Sequence, residues 1–297
     1  MAKKLDIGLE RIKKSLKKYQ NPIYVQSTQM FGDALHGSMV AKHYRNVYPN
    51  RPLVWAVSEK YKDAFKYYNH PTEVLLLPHL SSENLEQNFE IRRAWIKEAS
   101  KSAETIKCCV GPFGWNCAGS IVDAVLYNAK IKKLSVARKP MMPLGQEDEE
   151  WAENFVDKHD LGKFIVLEYN SYTFSKPPHN STWSPSNYNR LLAQMKYRTV
   201  WTGAKDDPPL NKGIDARGIS WRQAAALIKR ARLFVGCASG LTMVAVTKGI
   251  DTPILEVNIP DEVSMKFCGY KDSRVIRAKT PEIAADAINA ACGNQKR

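Results

Sequence analysis

Short apolar runs alternate along the chain with longer stretches whose apolar residues recur at helical spacing. In the first half the runs at 22–26 ("PIYVQ"), 52–58 ("PLVWAVS"), 72–78 ("TEVLLLP") and 105–111 ("TIKCCVG") read as strands. Helical spacing predicts helices over 32–49, where Pro49 ends the pattern, and around 59–69, 84–103 and 118–130. Continuous apolar strands are what a parallel sheet needs, because helices cover both of its faces. Alternation with helices is the signature of βαβ units.

The pattern changes at 138–150, where "RKPMMPLGQEDEE" is first rich in proline and then acidic. A second series follows, with strands at 163–169, 199–203, 233–237 and 253–257 and helices near 185–196, 220–231, 239–249 and 281–292. There is no internal repeat and no low-complexity linker. The expected architecture is α/β, with two Rossmann-like domains whose parallel sheets face a central cleft. The boundaries fall at 1–145 and 146–280, with a C-terminal helix in 281–297 that returns to the first domain.

Composition narrows the class. The chain has 297 residues, 44% hydrophobic and 25% charged, as in ordinary globular proteins. No apolar run approaches the ~20 residues that cross a bilayer, and the basic start lacks the apolar core of a secretory signal. Cys108, Cys109, Cys117, Cys237, Cys268 and Cys292 show no paired spacing, which fits reduced thiols and a cytoplasmic location.

The net charge of +14 points to an anionic partner. Lys3, Lys4, Arg11, Lys13, Lys14, Lys17 and Lys18 crowd the start, interleaved with Leu5, Ile7, Leu9, Ile12 and Leu16. Such a helix suits an anionic membrane surface or a phosphate backbone. Equally, it can be a packed terminal helix with a solvated outer face.

Three segments carry candidate chemistry. In "STQMFGDALHG" (27–37) the chain leaves a strand and places Asp33 at the mouth of a helix, where a carboxylate can cap the helix, touch a ligand or act as a base. In "LFVGCASGLTMVAVTKG" (233–249) a buried strand runs through Gly236 to Ser239 and Gly240 at a helix start, an arrangement that suits a diphosphate or simply tight packing. The long loop in "EYNSYTFSKPPHNSTWSP" (168–185) offers Asn170 and Lys176, the lysine being a natural phosphate partner.

These segments, in this order, resemble glycosyltransferase family 9, the ADP-heptose:lipopolysaccharide heptosyltransferase-like enzymes of GT-B fold, over residues 22–292. The Ser-x-x-Gly-Asp segment, the acidic stretch at "PLGQEDEEWAENFV", the loop ending in "WSP", the Thr-Gly turn of "TVWTG" and "QAAALIKRARLFVGCASGLTMVAVTKGIDTP" carry the likeness.

The resemblance implies inverting, metal-independent transfer of a sugar from a nucleotide-diphosphate donor to an acceptor hydroxyl. Asp33 would be the general base, with Gly32 and His36 beside the acceptor. Asn170, Lys176, Thr202, Gly203, Gly236, Ser239, Gly240, Leu241 and Thr242 would hold the donor. No cofactor is implied beyond that co-substrate, and no Asp-x-Asp or His/Cys cluster suggests a metal ligand set. The acceptor would be lipopolysaccharide or another glycan or lipid-linked surface molecule, met at the inner face of the membrane.

Two departures stand out. The family's Asp-Ser-Gly acid is replaced by Cys237 and Ala238, and its histidine falls near Met243 or Val244. Donor identity is therefore open, heptose included. Two other readings remain: a (viral) DNA-modifying transferase acting on a hydroxylated base, and a nucleotide-sugar-binding protein without turnover.

Overall fold

Buried apolar runs form the strands of two all-parallel sheets. The structure is a computed structural model that describes residues 2–28, 31–80, 85–108, 121–169, 184–237, 239–258, 273–278 and 280–293. The chain divides into two compact units, Met1–Pro143 and Leu144–Arg297.

In the first unit α1 (Ala2–Leu16) precedes β1 (Ile23–Ser27), α2 (Phe31–Val47) and β2 (Leu53–Ser58). A 3-10 helix (Glu59–Phe65) takes the place of the expected helix at 59–69, followed by β3 (Glu73–Leu77), α3 (Leu85–Ala99), β4 (Glu104–Lys107) and α4 (Ile121–Asn128). The sheet order is β3-β2-β1-β4. All residues of β1 and β2 are buried, which explains the apolar run that opens each strand.

The basic helix α1 is a packed terminal helix. Ile12 and Leu16 are buried in one cluster with Leu75, Leu77, Ile91 and Trp95, and Leu5 and Leu9 pack against it. Gly8 makes the approach to α3 possible, since a Cβ there would lie 2.2 Å from Trp95 Nε1. The apolar side that would enter a membrane is therefore spent inside the first unit. Arg11 of the helix pairs with Glu59 at 2.7 Å, and Lys18, just beyond its end, pairs with Glu73 at 3.0 Å.

The second unit opens with α5 (Gln146–Lys158), then β5 (Phe164–Glu168), α6 (Pro185–Gln194), β6 (Arg198–Thr202), β7 (Ile214–Asp215) and α7 (Trp221–Arg230). After these come β8 (Leu233–Gly236), α8 (Gly240–Ala245), β9 (Ile254–Asn258), β10 (Ser273–Arg277) and α9 (Pro281–Gly293). The sheet order is β10-β9-β8-β5-β6-β7, so β7 and β10 extend the four expected strands to six.

The acidic stretch docks α5 on α7. Glu147 and Asp148 meet Arg222 at 2.9 and 3.3 Å, and Glu149 pairs with Lys229 and Arg230. Ser220 caps α7 in a reciprocal box with Gln223.

In the terminal helix Ala284, Ala285, Ile288 and Cys292 join Leu191, Leu192 and Trp201 in one buried cluster of the second unit. Arg190 of α6 bridges to Glu282 at 2.7 Å.

Candidate functional site

Strand order places the candidate segments at particular points of each sheet. In an open parallel sheet, ligands bind outside the carboxyl ends of the strands, where the chain's order reverses. In the first sheet that point lies between β1 and β4, and β1 leads into the Asp33 segment. In the second it lies between β5 and β8, and β8 leads into "GCASG".

At the first point α2 begins at Phe31, so Gly32 and Asp33 are the second and third residues of the helix. Asp33 is thus inside the first turn and is not the N-cap. Its charge bears on Tyr61, which the 3-10 helix after β2 brings alongside. Burial, and then the Asp33 carboxylate, push the Tyr61 phenol up to about 12, against a hydrogen bond from the Phe31 backbone. Tyr61 and Phe31 also touch through their rings, 5.2 Å apart.

The end of β3 adds His79, whose ring lies 5.8 Å from Tyr61 and whose Nδ1 is 3.0 Å from Ser58 Oγ. Burial lowers the His79 pKa, and Lys60, Lys4 and Arg92 lower it further. Lys60, Lys4 and Arg92 thus bear on His79, with the Glu59 carboxylate acting against them.

His36 takes a different place from the one expected. It is 1% exposed, and burial lowers its pKa to about 4, outweighing a hydrogen bond to the Gly32 backbone. The imidazole is neutral and packed against its surroundings in α2, away from solvent.

At the second point the turn at 236–242 is tightly knit. Ser239 caps α8, its Oγ accepting from Thr242 N at 3.1 Å. The Thr242 hydroxyl reaches back to the Cys237 carbonyl. Gly236 permits this closeness, because a Cβ there would meet Thr242 Oγ1 and Phe234 Cε1 at 2.7 Å. Leu241 and Thr242 are buried, and Gly240 is half-buried.

The helix itself is six residues long against the eleven expected, so its macrodipole is short. What remains for an anion is local. The first-turn amides of Gly240 and Leu241 have no acceptor within the helix.

Thr202 and Gly203 lie at the end of β6, next to β5. Thr202 is buried with its hydroxyl 3.5 Å from the Leu167 carbonyl. Gly203 is needed for a turn in which Asp207 accepts from Ala204 N at 2.6 Å, since a Cβ at 203 would meet that carboxylate at 2.7 Å. Asn170 and Lys176 lie outside the described residues.

No protein-family model matches the sequence, and no curated protein matches it either. Solved structures do match in three dimensions. A family 9 glycosyl transferase from Veillonella parvula superposes with a TM-score of 0.65 at 15% identity, covering 93% of this chain and 90% of that one. E. coli ADP-heptose LPS heptosyltransferase II gives 0.65 at 14% identity, covering 91% and 98%. E. coli heptosyltransferase WaaC with ADP gives 0.55 at 15% identity, covering 91% and 99%. The fold is that of the family 9 glycosyltransferases, GT-B.

Within this GT-B frame one prominent residue escaped the sequence reading. Glu168, the last residue of β5, is 8% exposed and lies across the reversal point from Cys237. Its Oε2 accepts from Cys237 N at 3.2 Å, with Cys237 Sγ at 3.7 Å and Thr242 Oγ1 at 3.4 Å. Burial pushes its pKa above the usual carboxylate range, against hydrogen bonds from Ser239, Cys237 and Thr242. Nothing local marks it, since its partners lie about seventy residues further along the chain. Tyr61 and His79 escaped for the same reason.

Proposed function

We propose that this protein is a glycosyltransferase that moves a sugar, with inversion and without a metal, from a nucleotide-diphosphate donor to an acceptor hydroxyl. The observation that carries the reading is the coincidence of both candidate segments with the reversal points of a GT-B pair of sheets.

In this scheme the first unit receives the acceptor and the second the donor. The acceptor oxygen attacks the anomeric carbon as the bond to the diphosphate breaks. Asp33 takes the hydroxyl proton, and the nucleoside diphosphate departs with the bonding pair. The turn at 236–242 and Lys176 offset the charge of the leaving group.

An anionic acceptor is supported by charge. Residues 1–143 hold 23 Lys and Arg against 12 Asp and Glu, a net of +11, while residues 144–297 hold 21 against 18, a net of +3. The acceptor is read as a phosphorylated surface glycan, lipopolysaccharide being the type. The protein works in the cytoplasm beside the inner membrane face. Contact with that face rests on charge, because the apolar side of α1 is buried.

The test is turnover of a panel of nucleotide sugars with delipidated lipopolysaccharide core, or with hydroxymethylated DNA, as acceptor. Magnetic resonance of the product reads the anomeric configuration. Turnover with inversion that survives EDTA is expected on the glycan. Retention, or loss of activity in EDTA, overturns the mechanism, and transfer to DNA alone overturns the acceptor.

A further inference from the structure

We propose that Glu168 is the positioning residue of the donor turn, its carboxyl oxygen holding residues 237–242 in the conformation that meets the donor diphosphate. This rests on the second unit binding a nucleotide donor.

The geometry is specific. Along β5, Ile165 and Leu167 belong to the cluster shared with α6 and α9, and alternation puts Glu168 on the opposite face. From there its carboxyl spans the gap between the ends of β5 and β8, where the connections diverge to either side of the sheet. A single oxygen, Oε2, meets the Cys237 amide and the Cys237 thiol, and it shares the Thr242 hydroxyl with the Cys237 carbonyl. Thr242 in turn holds Ser239, whose Oγ lies 3.3 Å from Thr242 Oγ1. One side chain thereby fixes both ends of the turn and the cap of α8.

Its burial carries a cost to stability. A carboxyl taken out of water is costly unless a cation accompanies it, and no cation acts on Glu168 among the described residues. The hydrogen bonds it receives only partly offset its burial. Buried carboxyls whose pKa is raised in this way gather at functional sites. Gly236, at the end of β8, leaves the space that Thr242 occupies, so the arrangement is built from three elements.

The role is indirect, since Glu168 touches the turn and not the reacting atoms. The side-chain oxygen matters as an acceptor. An amide at 168 keeps that acceptor, and a methyl group removes it.

Binding of ADP, UDP, GDP and dTDP to the full chain by calorimetry, with Glu168→Gln, Glu168→Ala and Thr242→Val beside wild type, tests the assignment. For whichever nucleotide wild type binds, Glu168→Ala should weaken Kd by at least about tenfold and Glu168→Gln by less than roughly threefold. In turnover the loss from Glu168→Ala should fall on donor KM, with kcat within about threefold. A residue that only stabilises the fold would lower the thermal midpoint and leave KM unmoved.

Should Glu168→Ala fail to fold, Thr242→Val should still weaken Kd by about three- to tenfold. Wild-type affinity in Glu168→Ala or in Thr242→Val overturns the inference, as does equal loss in the Gln and Ala variants. If wild type binds none of the four nucleotides, the donor-binding reading falls first, and this inference with it.

Discussion

His36 shows how burial decides between two readings of one residue. One turn beyond Asp33 it looked available to an acceptor, yet it is buried and neutral. His70 is also buried, and burial, Lys42 and Arg45 lower its pKa to about 4. Folded-state values below the unfolded one mean that the unfolded chain binds the protons first as pH falls. The stability these histidines contribute is complete above about pH 6.5 and is lost on the way to 4. Each accounts for at most roughly 3 kcal/mol over that window. Urea midpoints at pH 7 and pH 4.5 should differ clearly, with the acidic one lower; equal midpoints would contradict the burial of neutral imidazoles.

Asp33 belongs to the same scale. It lies in the first turn of α2, at the positive end of a long helix. Tyr61 is the second anchor of that turn. Tyr61→Phe should lower kcat by about tenfold or less while leaving donor Kd unchanged, because the phenol acts on the turn that bears Asp33, the proposed base. Weakened donor binding in Tyr61→Phe, measured by calorimetry, would place Tyr61 elsewhere in the mechanism.

At the scale of elements, central strands and long helices were legible because their residues carry the period of a fully buried sheet or of an amphipathic helix. What failed did so for physical reasons. β7 is two residues long and too short to show alternation. α8 ends at Ala245, short of the expected 249, in a stretch with Val244, Val246 and Thr247, and Gly249 adopts φ 93°. The basic helix was readable as amphipathic, but its covering surface, Trp95 and its neighbours, lies some eighty residues away. Gly8→Ala should force Trp95 and α1 apart and cost about 1–3 kcal/mol, seen as a lower midpoint of chemical unfolding. An unchanged midpoint would show that α1 is not seated as described.

At the scale of the molecule, two units with all-parallel sheets followed from the alternation of strands and helices and from the break near 138–150. Strand order did not, because order is set by which crossovers pack on which side, and no local pattern records that. Order is nevertheless what brings Glu168 beside Cys237, and what places the end of β1 at a reversal point. The candidate site was therefore legible as segments and invisible as an assembly. The charge asymmetry also belongs here. With the apolar face of α1 covered, association with anionic vesicles should be electrostatic and should disappear between about 0.05 and 0.5 M salt. Salt-resistant binding in a sedimentation assay would mean that apolar contact has been underestimated.

The most direct measurement compares nucleoside diphosphate release from a panel of nucleotide sugars by wild type and by Asp33→Asn. Wild type should turn over at least one donor in the presence of acceptor. Asp33→Asn should bind that donor with unchanged Kd and turn it over at least about a hundredfold more slowly. Equal release by the two proteins, or none from wild type with any donor, would contradict a glycosyltransferase with Asp33 as its base.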